Sequence, residues 1–380
     1  MSKRDERLRS EASVMSYLKE RVEDERTDYE VSKNRRNTIA MAREGVFLDQ
    51  LTAVLKDAFG KGVAAPSGYA KKTLSTTPKK RIVNIALSDL HYHSLLDPRE
   101  VPFEYGPLEE ARRTAQIVQE VSEYKPQYRD DTELFVHIHG DIIQGDLHDP
   151  RDAATMTEQF AAATFLLTQA LTAWSASFKR VTARCVPGNH GRNKRRHPER
   201  ATTQKWDSFE NMIYFALKMA VATLPNVKVE IPYTPFYTYQ AFDQQGFVTH
   251  GDTVLDAGFP SSTIDIKKVR NHINELNAGE PDKDSDFFLI GHVHCGATVE
   301  IPSGPTFMSN GCLVPPDGFA VSRGIRKQKC GQQLWESVPG HICGDRRFLN
   351  VDENTDKDTS LDKIVKPYLG FETESPLRRK

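Results

Sequence analysis

Cysteine is scarce in this chain. Cys185, Cys295, Cys312, Cys330 and Cys343 are the only five in 380 residues, an odd number with no C-x-x-C spacing. That leaves no basis for a disulfide framework or a zinc ribbon and points to a reducing, cytoplasmic setting. Long apolar runs are missing as well. No window approaches the ~20 residues a membrane-spanning helix requires, and the opening Met1-Ser2-Lys3-Arg4-Asp5-Glu6 lacks the apolar core of a signal peptide. Neither secretion nor membrane integration is expected. Net charge is almost absent too, at -1, so only local imbalance can attract a polyanion. Such an imbalance exists: residues 31–81 hold 11 Lys or Arg against Glu44, Asp49 and Asp57, whereas residues 1–30 hold seven basic and nine acidic residues.

What is present is the composition of a globular protein, 38% hydrophobic and 27% charged, with length enough for one large core and appendages. Residues 1–80 read as a basic helical arm and linker. Apolar positions at Ile39, Met41, Val46, Phe47, Leu51, Val54 and Phe59 follow Lys33-Asn34-Arg35-Arg36, which fits a packing arm or a small module touching DNA or RNA. Gly60, Gly62, Pro66, Gly68 and Pro78 mark the linker.

From residue 81 to about 314 strands and helices alternate. The pattern predicts strands over 82–87, 134–138, 180–186 and 228–231, with helices over 107–124, 153–177 and 206–223 between them. That rhythm is the signature of βαβ units on a largely parallel sheet. After residue 236 it changes to a hairpin (236–242 and 246–249, with Asp243-Gln244-Gln245 between), a helix near 262–277, and strands near 287–290, 297–301 and 305–309. The expected fold is α/β: two packed mixed β-sheets flanked by helices. Residues 315–350 are expected to form a small cap and 351–380 a polar tail.

Polar knots interrupt the apolar runs at their carboxyl ends, where α/β folds place ligand-binding loops. They are Asp89-Leu90-His91, Gly140-Asp141, Gly188-Asn189-His190, His250-Gly251-Asp252 and Gly291-His292-Val293-His294. Carboxylate, imidazole and amide oxygen without thiolate suit Mn²⁺, Zn²⁺ or Fe. Seven donors, Asp89, His91, Asp141, Asn189, His250, His292 and His294, exceed one tetrahedral ion. They fit two ions roughly 3.5 to 4 Å apart that share a carboxylate.

In this order the knots resemble the calcineurin-like metallophosphoesterases, whose motifs are D-x-H, G-D, G-N-H, H and G-H-x-H, over about residues 81–310. The general character is nearest to SbcD-type nucleases and phosphodiesterases. The resemblance implies a four-layer sandwich and two divalent ions, Mn first in expectation and Zn or Fe next. Asp89, His91 and His294 would hold one ion and Asn189, His250 and His292 the other, with Asp141 bridging. It also implies hydrolysis of a phosphate ester by a hydroxide formed on the ions, with His190 contacting the phosphate or protonating the leaving oxygen. Two positions depart from the family. Gly191 stands where an acid often follows the G-N-H histidine, and Gln144 stands where related enzymes carry His or Asp. Asp146 and His148 are the nearby substitutes, or are solvated loop residues.

The substrate clue is Arg192, Lys194, Arg195 and Arg196, a basic run that leaves the G-N-H loop. Clustered cations there suit a polyanion held through its phosphates, and Arg323, Arg326, Lys327 and Lys329 add to the charge. A nucleic acid is therefore the expected substrate and the chain a nuclease. A protein or nucleotide phosphomonoesterase would use the same centre, and a non-catalytic nucleic-acid-binding accessory protein is the third reading.

Overall fold

Strand Ile82–Leu87 (β1) is apolar at nearly every position and buried along its whole length, as a central strand covered on both faces must be. The structure is a computed structural model. It describes residues 81–96, 99, 101, 105–124, 132–147, 153–193, 205, 207–255, 264–279, 284–302, 304–322, 324, 329–351 and 362–374. The chain divides into two units, residues 1–57 and 58–380, and everything described falls in the second. The expected arm and linker over 1–80 lie outside the described residues.

Beside β1 run Glu133–His139 (β2), Arg180–Val186 (β3) and Val227–Glu230 (β4), all parallel and joined in that order. The crossovers are the helices Pro107–Tyr124 (α1), Met156–Ser177 (α2) and Phe209–Ala220 (α3). Helix α1 buries Ala111, Ala115, Ile117, Val118 and Val121, the stripe expected from its periodicity. Helix α2 begins at a capping box in which Thr155 and Glu158 satisfy each other's backbone N–H groups.

The second sheet contains Phe236–Ala241 (β5), Gln244–Thr249 (β6), Phe287–Ile290 (β7), Ala297–Glu300 (β8) and Thr306–Ser309 (β9), in the order β5-β6-β7-β9-β8. Strands β6, β7 and β9 are parallel and the outer two antiparallel. The hairpin is tighter than expected. Ala241 pairs with Gln244, so the turn is Phe242-Asp243 alone, with Phe242 at φ 60 supplying the left-handed residue such a turn needs.

Between the sheets lies a core drawn from both, including Ala86, Phe135, Val186, Tyr239, Val248, Phe287, Leu289, Met308 and Trp335. The outer face of the second sheet buries Phe247, Phe288, Ile290 and Phe307 against Val269 and Ile273 of helix Ile266–Gly279 (α4). The result is two mixed sheets flanked by helices, a four-layer sandwich.

Two expectations at the carboxyl end need correction. After the short helix Gly318–Ser322 (α5), Gly331–Ser337 (β10) and Arg346–Asn350 (β11) extend the first sheet, giving the order β11-β10-β1-β2-β3-β4. Every residue of β10 is buried, so this segment is a sheet strand rather than a cap. Its alternation was hidden by Gln332, Gln333 and Glu336, which are buried yet polar because each has internal partners. Likewise residues 362–374, expected as tail, form a helix (Asp362–Glu374, α6) that packs on α1 and α2. Its Tyr368 is fully buried and donates to Glu110.

Candidate metal centre

The loops that leave β1, β2, β3, β6 and β7 meet at one end of the sandwich. The first two run side by side: Asp89 N donates to Gly140 O, His91 N to Asp141 O and Tyr92 N to Ile142 O. Gly140, at φ +94, lets the β2 loop pass the β3 loop so closely that a Cβ there would lie 2.4 Å from Gly188 N. Gly188 is equally constrained, since its Cβ would meet Asp141 Oδ1 at 2.1 Å. Among the described residues eight non-glycines have positive φ, and six of them are Asp89, His91, His93, Asp141, His292 and His294. Each left-handed residue costs about 1–3 kcal/mol, and such strain collects at functional sites. Here it turns the chain sharply at the strand ends and gathers the polar side chains.

Three overlapping groups have donor atoms within 4.8 Å of one another: Asp89, His91 and His294; His91, Asp141 and His190; Asp141, His250 and His292. In the first, His91 Nε2 faces His294 Nε2 at 3.1 Å and His294 Nε2 lies 3.3 Å from Asp89 Oδ1. In the third, His250 Nε2 is 2.9 Å from Asp141 Oδ2 and 3.2 Å from Asn189 Oδ1. The other His250 nitrogen donates to His139 O at 2.8 Å, which orients the ring as an outer partner orients a metal ligand. Asp141 belongs both to the group with His91 and His190 and to the group with His250 and His292, and its Oδ1 accepts from His190 N at 2.8 Å.

Each end therefore collects more electron-pair donors than one proton can serve. His91 Nδ1, buried, has no hydrogen-bond partner among the described residues. Two facing imidazole nitrogens and an amide oxygen aimed at a third suit a cation, and the donor types suit a borderline or hard divalent ion. The His and Asp clusters are capable of coordinating two such ions.

Electrostatics agree. Burial alone would raise the Asp89 carboxyl, but the bond and charge of His294 hold it down to about 2. Burial opposes charge on His250, yet neighbouring Asp141 pushes it up to about 10. Asp141 is held well below the usual carboxylate range, against the desolvation of burial, by His250 and His190. His91 and His292 move the other way: burial, with positive neighbours, lowers His91 well below its ordinary value and His292 to about 4. Asp89 and Asp141 are thus held as carboxylates and His91 and His292 as neutral imidazoles, the states in which these groups bind metal, whereas His250 and His294, both raised by their carboxylate neighbours against burial, would have to give up a proton to a cation.

Of the remaining residues singled out in the sequence, His190 lies at the centre, its ring 4.5 Å from that of His91. Its Nδ1 donates to Gln144 O at 2.7 Å, so Gln144 contributes its backbone rather than its amide. Arg192 pairs with Ser208 in an isolated bridge, and its shielded Nε has no partner among the described residues. Lys194, Arg195, Arg196 and His148 lie outside the described residues.

Several supports escaped the sequence reading. Ser88 Oγ donates to Asp89 Oδ2 at 2.5 Å, and Gln332 of β10 brackets the Ser88 backbone, accepting from its N at 3.0 Å and donating to its O at 3.2 Å. Asn310 ties Ser88 to Gln332. Lys205, buried, bridges Pro187 O and Asp252. Glu210 of α3 accepts from Ile142 N and Gly188 N. None of these positions forms a motif; the one local signal that could have found any of them is Ser208, a residue type that favours the N-cap position it takes before α3.

No family model matches the chain, and no curated protein matches it. Solved structures do show similarity. A calcineurin-like phosphoesterase, YfkN, from Bacillus subtilis aligns at 12% identity over 80% of this chain and 100% of that one, with a TM-score of 0.34. A 5'-nucleotidase from Candida albicans aligns at 11% identity over 78% of this chain and 58% of that one, TM-score 0.35. Vacuolar Protein Sorting 29 from Cryptosporidium parvum aligns at 11% identity over 69% and 88%, TM-score 0.31. At these values the likenesses carry no inference about chemistry, which rests on this chain's side chains.

Proposed function

We propose that the chain is a dinuclear metal-dependent phosphoesterase that hydrolyses phosphodiester bonds of a nucleic acid. The observation that carries this reading is the convergence of Asp89, His91 and His294 with His250, His292 and Asn189 around a shared Asp141. The first three would hold one ion and the last three the other, with Mn²⁺ preferred and Zn²⁺ or Fe next. Two divalent ions there would supply Lewis acidity toward phosphoryl oxygens and lower the pKa of water.

The chain's own residues supply position and proton handling. Asp141, common to two of the ligand groups, would be shared between the ions. Gln144 O fixes His190 Nδ1 as a donor, so in the doubly protonated imidazolium Nε2–H would be the group that donates to a phosphoryl oxygen or passes its proton to the leaving oxygen. Arg192 opens the basic run, and Lys194, Arg195 and Arg196 follow it in sequence. Cations placed there would hold flanking phosphates without reading bases.

The test is turnover by the full chain with Mn²⁺ on bis(p-nitrophenyl) phosphate and p-nitrophenyl phosphate, then on single- and double-stranded DNA and RNA and a phosphopeptide. Cleavage of the diester and of a nucleic acid is expected. Turnover of the monoester and phosphopeptide alone replaces the nuclease reading with a phosphomonoesterase, and no turnover with Mn²⁺ bound rules out hydrolysis. Changing Arg195 and Arg196 together to Ala should weaken polyanion binding and flatten its salt dependence while sparing the small diester; equal loss on both would mean those arginines serve the loop's structure.

A further inference from the structure

We propose that Glu210 is a positioning residue for the second ion, a carboxylate clamp that locks the loop carrying Asp141 to the loop carrying Asn189. The inference rests on the dinuclear reading above. Glu210 is fully buried in the first turn of α3. Its Oε1 accepts from Ile142 N at 2.5 Å and its Oε2 from Gly188 N at 2.6 Å. Ile142 follows Asp141 and Gly188 precedes Asn189, so one side chain fixes the backbone next to a ligand on each loop. Burial and the charge of Asp141 raise this carboxyl to about 7, yet both its oxygens accept, as a carboxylate's do, and bonds to an ionised acceptor are roughly twice as strong as neutral ones. Among the described residues no Lys or Arg pairs with Glu210, so both carboxylate oxygens serve backbone N–H groups.

The neighbourhood shows that this arrangement is built rather than incidental. A Cβ on Gly191 would lie 2.4 Å from Glu210 Cγ and 3.0 Å from its Cδ. Gly191 is not among the glycines at positive φ, so its backbone would accept a side chain; Glu210, together with the Ser208 hydroxyl at 2.9 Å, fills that space. The β3 loop is pinned on either side as well, by Tyr214 OH on Val186 O at 3.1 Å and Lys205 Nζ on Pro187 O at 3.0 Å. Of these three side chains Glu210 alone, among the described residues, also reaches the β2 loop, adding to the direct contacts that His190 makes with Asp141 and Gln144, and the second ion needs both loops at once.

The geometry also provides a rescue. With Glu210 cut back to Ala, a glutamate at 191 starts from a Cβ next to the vacated Cγ position and can place its carboxylate between the same two N–H groups. The experiment is a two-step Mn²⁺ titration of the full chain by calorimetry, with Asn189→Ala used to mark the step that belongs to the second ion. Glu210→Gln, which keeps the volume but puts an amide N–H against a backbone N–H, should weaken that step by about 10–100-fold, the usual cost of removing an outer-shell partner. The other step should change far less. Glu210→Ala should show the same loss, and Glu210→Ala with Gly191→Glu should recover most of it. Wild-type affinity at both steps in Glu210→Gln overturns the clamp, as does equal weakening of both steps or a folded double variant that fails to recover. Should Glu210→Ala not fold, Glu210→Gln and the double variant decide the matter. A wild-type chain that takes up no Mn²⁺ overturns the dinuclear reading instead.

Discussion

His137 should make the sandwich acid-sensitive through a route that does not involve the ligands. It lies in the core between the sheets, stacked 5.2 Å from Trp335 and 6.1 Å from Tyr237. Asn84 spends its amide N–H groups on Ile82 O and Ser337 Oγ, so its Oδ1 accepts and His137 Nε2 must carry the proton in their 3.1 Å contact. Tyr237 OH then donates to Nδ1 at 2.7 Å. Protonating Nδ1 would force the Tyr237 hydroxyl to turn from donor to acceptor and would bury a charge, and burial, reinforced by Arg184, holds His137 well below its ordinary 6.5. The sign follows from linkage: above 6.5 the imidazole is neutral in both states, and as pH falls below 6.5 the unfolded chain gains a proton that the folded chain refuses. At pH 5.5 the unfolded state is favoured by RT ln 11, about 1.4 kcal/mol. His137→Gln can donate to Asn84 and accept from Tyr237 but cannot titrate. Urea unfolding of EDTA-treated protein at pH 7.5 and 5.5 should show the wild type losing about 1.4 kcal/mol more than the variant, with contributions from other histidines cancelling. Equal losses, or a smaller loss in the wild type, would refute both the tautomer and the buried neutral state.

Asp141→Asn removes the shared carboxylate and should abolish turnover and lower bound Mn²⁺ measured by atomic emission; full activity would sink the ligand assignment. Gly140→Ala forces a Cβ to 2.4 Å from Gly188 N at a backbone φ of +94. It should lose at least about 1–2 kcal/mol from the left-handed conformation alone, seen as a lower Tm and weaker Mn²⁺ uptake, and an unchanged Tm would show that the two loops are not held as described. Tyr368→Ala empties a fully buried site over α1 and α2 and should cost about 3–5 kcal/mol by urea unfolding. A loss below about 1 kcal/mol, the scale of an ordinary surface substitution, would mean that the carboxyl-terminal helix does not dock.

Much of the fold could be read from the chain because hydrophobic period and strand length are local properties. Ile82–Leu87, Arg180–Val186 and Pro107–Tyr124 have the bounds the sequence predicts. The failures came where burial and polarity part company. Gln332, Gln333 and Glu336 made β10 look like a solvated cap because their partners, Ser88, Asn310 and Tyr124 among them, are far away along the chain. Tyr368 looked like tail because the acid it meets, Glu110, is 258 residues away.

The sequence by itself determined where Asp89, His91, Asp141, Asn189, His250, His292 and His294 stand: each follows a strand, because a strand's apolar run must stop where its loop begins. Tertiary structure alone decided how those donors are held. The left-handed backbone at Asp89, His91, Asp141, His292 and His294, the close pass of Gly140 against Gly188, the Gln332 and Asn310 support beneath Ser88, and the Glu210 contact with two loops all join residues distant along the chain. Such contacts leave no period or motif to read, because each is fixed by where the two sheets and their helices bring separate loops together.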